Sequence, residues 1–407
     1  MIVGICFLLP SYLVRFSLFG VPMTMLEILI YVSVIITLIQ NSIIKSPIDK
    51  YKIKKSYIWI PVILFMVSGI IGILVSPDKT IALGQFKGFI LVPILFFWTL
   101  TENIKNRDEL MALLYGLIFS GVYVATYSMW QKISGQITPD GRVIGIFNYS
   151  PNYLVFYMVP ITLILFFVFY FEKSKVWFIR FFKVVLLIVF LYSIYLSGSR
   201  AAIVAFLGAI ALTYFFKHLV NLKAKIYIKT MIVVLLIVIA GLLGFNYFKP
   251  DYSLSVYDGG RTVSSDNIRW EIWRTTVYDI LPQNYNWLWG VGLGMYQDYF
   301  SDLTKERVNF PQWVSPLALT PHNLFLQIWV NMGMLGLISF TWILYIFFSK
   351  INLSQKIGFI VCVVMVAILI QGIVDAQYWK NDLAVMFWML VALSILCNNF
   401  LKKEDYA

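Results

Sequence analysis

His322 is one of two histidines in the chain and stands in TPHNLFLQIWV, where a polar stretch gives way to a long apolar one. A neutral imidazole there can take a proton from a hydroxyl, the step a general base performs. Pro321 disfavours helix at Thr320 and suits the first turn of the helix that follows, so His322 and Asn323 are expected in a helix N-terminus. The positive end of the helix dipole favours the uncharged ring at that place. The competing reading is a capping or interface histidine.

Arginine supplies a second kind of chemistry, because its planar fork grips phosphate or carboxylate through two hydrogen bonds and stays charged. Arg200 lies in LSGSRAA between two apolar runs. An arginine at membrane depth marks a function or a firm pairing; the alternative is a side chain that snorkels to the interface. Ser197, Gly198, Ser199, Ala201 and Ala202 around it allow close approach of a helix or a ligand. Arg269 and Arg274 share the segment SDNIRWEIWRTTVYDILPQ, which reads as an amphipathic helix with Ile268, Ile272 and Val277 on its apolar face and Trp270 and Trp273 flanking. Five residues apart on a helix, the two arginines face different ways, so one of them points to a site. Lys87 and Glu27 sit in apolar segments; Lys87 either joins an external anion site or pairs within the protein, and a salt bridge within the protein is the favoured reading for Glu27. Asp375 and Asp382, in VDAQYWKNDLA, are the carboxylates that bear on a metal; the external loops hold no DxD pair, so neither metal nor cofactor is expected.

The elements that must hold these groups are membrane helices. The chain is 60% hydrophobic and 13% charged, too apolar for a soluble domain of 407 residues. About twelve spans follow from the length a helix needs to cross a bilayer: 1–14, 22–41, 57–75, 81–100, 110–130, 148–170, 184–198, 201–216, 230–248, 323–348, 357–374 and 383–400. The expected fold is therefore all-α, a polytopic helical bundle. It divides into an N-terminal bundle of about nine spans (1–248), a large external loop (249–321) and about three C-terminal spans (322–407). The first segment is short, and 184–198 with 201–216 reads as a helical hairpin around LSGSR. No signal peptide is evident. Cys6, Cys362 and Cys397 lie in apolar segments and read as buried small hydrophobes. Nothing points to nucleic acid.

Charge sets the orientation. Placing the lysine-rich segments KSPIDKYKIKK, EKSKVWFIRFFK, KHLVNLKAKIYIK and the C-terminal Lys402 and Lys403 in the cytoplasm puts both termini inside a cytoplasmic (inner) membrane. On that count the inner loops hold 17 lysines and 2 arginines, and the outer side 6 lysines and 7 arginines, namely Arg15, Arg142, Arg200, Arg261, Arg269, Arg274 and Arg307. Lysine inside follows from topology alone. Arginine outside points to an anionic ligand on the external face, unless the loop's own Asp258, Asp266, Glu271, Asp302 and Glu306 absorb it. Gly290, Gly292 and Gly294 mimic part of a dinucleotide fingerprint but lack a strand–turn–helix context, and read as a tight turn beside the membrane.

A transferase on that face has no nucleotide donor and needs one already activated and already in the membrane. A polyprenyl-diphosphate glycan meets both conditions. Arginines would hold the departing diphosphate as charge builds on it, and the histidine would take the acceptor's proton. A transporter or flippase is the rival from another class, disfavoured by the few ionisable residues deep in the helices.

LSGSRAA, NIRWEIW and TPHNLFLQIWVNMGMLGL, in that order, together with GRVIGIFNYSPNYLVFYMVP and the closing DAQYWKNDLAVMFW, resemble the O-antigen ligase and O-antigen polymerase family of integral-membrane glycosyltransferases. The resemblance implies diphosphate binding by Arg200 and Arg269, acceptor activation by His322, and a metal-independent, inverting transfer on an all-helical glycosyltransferase fold. Arg274, Lys87, Arg142 and Asp375 are secondary candidates. A ligase, joining the finished glycan to a glycan, lipid or wall-polymer acceptor, is the leading reading; a repeat-unit polymerase is the runner-up.

Overall fold

A computed structural model describes residues 1–18, 20–43, 57–147, 150–172, 175–221, 256–258, 261–263, 265–305 and 318–404. It is a helical bundle with two small antiparallel hairpins. Helices α1 (Ile2–Phe7), α2 (Met25–Ile43), α3 (Trp59–Val75), α4 (Lys79–Asn103), α5 (Arg107–Ile133), α6 (Pro151–Phe171), α7 (Trp177–Leu196) and α8 (Arg200–Asn221) form the N-terminal part. A first hairpin pairs β1 (Arg15–Leu18) with β2 (Val21–Thr24), and a second pairs β3 (Val256–Asp258) with β4 (Arg261–Val263). The region after β4 contributes α9 (Ser265–Arg274), continued by a π turn over Thr275–Ile280, then α10 (Asn286–Trp289) and α11 (Tyr296–Lys305). Helices α12 (Leu324–Lys350), α13 (Lys356–Val374) and α14 (Asn381–Glu404) close the bundle.

Among the described residues eight helices are long and apolar enough to cross a membrane, and Trp59–Val75 and Asn381–Cys397 are shorter apolar helices. The expected span at 230–248 lies outside the described residues. The segment 1–14 differs from its expected span: it is a six-residue helix followed by a 3-10 helix, Leu9–Leu13. Together they rise about 20 Å, short of the roughly 30 Å apolar layer. Pro10 at the start of the 3-10 helix explains the break, since its ring cannot continue a helix from α1.

The pair around LSGSR also departs from expectation. Both helices are longer than the segments read from sequence, and they splay: α7 packs on α5 and α6, whereas α8 packs on α13 and α6. Gly198, at φ +65°, makes the turn between them. Helix α13 is the centre of the C-terminal half and is buried along nearly its whole length.

Helix α9 forms where the sequence places it, with one change. Ile272 and Trp273 are both buried, in a small core with Val291, Met295, Tyr296, Phe300 and Val330, so Trp273 belongs to the apolar face while Trp270 remains half-exposed. This core docks onto the bundle through the glycine turn. A Cβ at Gly292 would lie 2.5 Å from Ser76 Cα, so only hydrogen fits there. The Leu293 N–H reaches the Gly72 carbonyl at the end of α3 at 3.1 Å, and the Val291 N–H reaches the Val330 carbonyl of α12 at 2.7 Å. Helix α12 breaks at Gly333, φ +68°, to let the Leu288 carbonyl approach.

Candidate active site

Helix α12 begins at Leu324, so Pro321 and His322 stand before its first turn and not in it. Asn323 is its N-cap: the side-chain Oδ1 accepts from the Phe325 and Leu326 N–H groups at 3.0 Å each. An asparagine satisfies two orphan N–H groups that Pro321 and His322 cannot. His322 therefore precedes the helix and takes a left-handed backbone, φ +46°. Such a conformation is uncommon for a residue other than glycine and is worth a functional question.

The dominant neighbour is Asp375, which ends α13. His322 Nδ1 lies 3.2 Å from Asp375 Oδ1, with the imidazole side chain 35% exposed and the carboxylate 12%. A carboxylate oxygen only accepts, so the neutral ring carries its hydrogen on Nδ1 and its lone pair on Nε2. Asp375 is itself held. Its Oδ1 also accepts from the Ala376 N–H at 2.8 Å, and its Oδ2 accepts from Asn152 Nδ2 at 3.1 Å. Burial pushes the Asp375 carboxyl up, but His322 and then Arg269 outweigh it and hold the group below the usual carboxylate value.

Arg269 reaches this cluster from α9, and Trp273, one turn on, donates its indole N–H to the His322 carbonyl at 3.3 Å. Arg274 faces elsewhere, pairing with Glu271 at 3.1 Å while half-exposed. The two arginines thus separate onto different faces as their spacing requires.

Arg200 is exposed at the first residue of α8. Helices α8 and α13 run antiparallel: Gly208 lies against Ile370, and Lys217 lies over the Phe359 ring at 5.3 Å. Eight residues back from Gly208 is about 12 Å, and five residues on from Ile370 is about 7.5 Å. Arg200 and Asp375 therefore stand at the same end of the bundle. The stretch 141–147 bridges them. The Val143 N–H bonds the Leu196 carbonyl at 3.0 Å, Arg142 lies across Gly198, and the chain then enters α6, whose second residue is Asn152. Arg142 also pairs with Asp140.

Lys87 is engaged by Glu27 at 3.0 Å and by the Pro22 carbonyl. Glu27, 3% exposed, also accepts from the Thr24 N–H at 3.0 Å while Thr24 Oγ1 accepts from the Glu27 N–H at 3.2 Å, a capping box for α2. Both residues thus take the internal reading. Arg307 lies outside the described residues. Among the described residues no three His, Cys, Asp or Glu side chains gather as a metal site.

Two features were missed in the sequence. Asn152 drew no attention, although Ser150 and Pro151 before it announce a helix start that fixes its position. Asp375 bears on a metal in the sequence, and the 53 residues between it and His322 hide their pairing.

A family model described as O-antigen ligase matches residues 184–341. The match includes Arg200, Arg269, Arg274 and His322, and excludes Asn152 and Asp375. No curated protein matches the chain.

Proposed function

We propose that this chain, whose residues 184–341 match a family model described as O-antigen ligase, is a membrane glycosyltransferase of that kind, and we propose its donor, acceptor chemistry and working face. The donor is a glycan on a polyprenyl diphosphate, and the acceptor is a hydroxyl of a glycan, lipid or wall polymer. The reaction takes place at the extracytoplasmic edge of the bundle, the side to which the arginine-rich loops belong. His322 Nε2 takes the proton of the acceptor hydroxyl as its oxygen attacks the anomeric carbon. The bond from that carbon to the diphosphate oxygen breaks, and its electron pair leaves with the polyprenyl diphosphate. Arg200 and Arg269 receive the growing negative charge. Asp375 fixes the ring's tautomer and direction and balances the imidazolium that forms, as a buried aspartate does beside any catalytic histidine.

The observation that carries this reading is the His322–Asp375 contact, with Arg269 acting on the same carboxylate. It brings His322 and Arg269, from two separate segments, to one carboxylate. The test supplies purified protein with lipid-linked repeat units, first alone and then with a second acceptor. Transfer only with the acceptor supports the ligase; lengthening of the lipid-linked chain alone identifies a polymerase on the same site. Movement of the lipid-linked glycan across vesicles without any joining would overturn the transferase.

A further inference from the structure

The loop between α13 and α14, residues 375–380, carries Asp375, yet it has no secondary structure to hold it. What fixes it is a pair of carbonyls freed by prolines inside neighbouring helices. Pro160 lies inside α6 and has no N–H to give the Phe156 carbonyl four residues earlier. Gln377 Nε2 fills that vacancy at 2.8 Å, with Gln377 and Phe156 both buried. Pro93 follows a π turn over Lys87–Leu91, at the start of the α segment Val92–Asn103 of α4, and has no N–H for the Phe89 carbonyl within that turn. The Tyr378 hydroxyl donates to that oxygen at 2.6 Å. Trp379 adds a bond from its indole N–H to Gln85 Oε1 on α4 at 3.0 Å.

Consecutive side chains of one loop therefore dock onto two proline-opened helices. Helix α6 is also the helix whose Asn152 binds Asp375. We infer that Gln377 and Tyr378 are positioning residues for the His322–Asp375 pair, and that Pro160 and Pro93 serve to leave their carbonyls open for them. A buried carbonyl with no donor is costly, so each clamp is favoured only while its proline is present. This rests on the reading of His322 as the base, since the residues act through Asp375 and touch no substrate.

A double-mutant cycle between Gln377 and Pro160 tests it. Gln377→Leu keeps the volume and removes the donor. Pro160→Ala restores a helical N–H to the Phe156 carbonyl, so the oxygen no longer depends on Gln377. Neighbouring residues that share one interaction couple measurably. Gln377→Leu should lower kcat about tenfold with the donor KM within about twofold, because geometry at the reacting atoms is lost and not binding. Pro160→Ala alone should lower kcat to a similar extent, because the restored N–H takes the oxygen from Gln377, and the double variant should turn over no more slowly than the worse single variant. Losses that simply multiply would overturn the clamp. Coupling seen in melting temperature, with turnover of Gln377→Leu unchanged, would overturn the positioning role. An active His322→Ala variant would remove the base reading itself, and the coupling in melting temperature would still report on the clamp separately.

Discussion

Two groups of charged residues in this protein are drawn from the same parts and have opposite fates. In one, His322, Asp375, Asn152 and Arg269 converge, and the imidazole stays one-third exposed. In the other, Glu27 and Lys87 bind each other, Asn381 Nδ2 approaches Glu27 Oε1 at 3.4 Å, and Lys380 lies 3.1 Å from the centre of the Tyr153 ring and near Tyr12. Every charge of this second group faces an internal partner. Asp382 beside it is fully buried. The difference is one of closure: the first group leaves the imidazole edge accessible, and the second ties the N-terminal segment, α4 and α14 together. Residue type alone does not separate chemistry from scaffolding here; access does.

The comparison breaks most sharply at His322. His322→Ala should cut glycan transfer by roughly a thousandfold, the range of a general base, while the protein stays inserted and monodisperse; full activity would make the two groups alike. Arg200→Lys should lose about a hundredfold, because a point charge does not reproduce the bidentate fork. If lysine serves as well as arginine in a transfer assay, Arg200 does not grip a diphosphate. Asp375→Asn preserves shape but removes the acceptor-only partner of Nδ1, and a fall of about tenfold to a hundredfold in kcat is expected, as for other groups that orient a histidine. Lys87→Met sharpens the contrast from the other side. It should leave transfer per folded molecule within about twofold but cost about 3 kcal/mol of stability, since Glu27 is then buried without its cation. Adding Glu27→Gln should return most of that stability in thermal unfolding. A large loss of kcat in Lys87→Met would move Lys87 into the active group.

Much of the fold was legible because the bilayer imposes a long apolar run on every spanning helix. Among the described residues from Met25 onward, eight helices long and apolar enough to cross and two shorter apolar ones, Trp59–Val75 and Asn381–Cys397, fall where hydropathy puts spans. The first segment failed because apolar composition says nothing of whether Pro10 interrupts the helix. The splay of α7 and α8 was also hidden: a short polar turn fixes sequence adjacency, but which neighbour each helix prefers depends on side chains far along the chain. At the site, Arg269 and Arg274 were separable by the helical period. Lys87 was not assignable, because its partner Glu27 lies 60 residues away on another helix.

The sequence by itself determined an all-α membrane protein and a histidine beside a helix start. Those are local or one-dimensional properties, set by residue type and spacing. Only the tertiary structure decided that Asp375 faces His322, that Asn152 holds that carboxylate, and that prolines in α4 and α6 open carbonyls to the loop between α13 and α14. Hydrogen bonds act over about 3 Å, and the groups that make these are brought within that distance only when helices remote in sequence pack together.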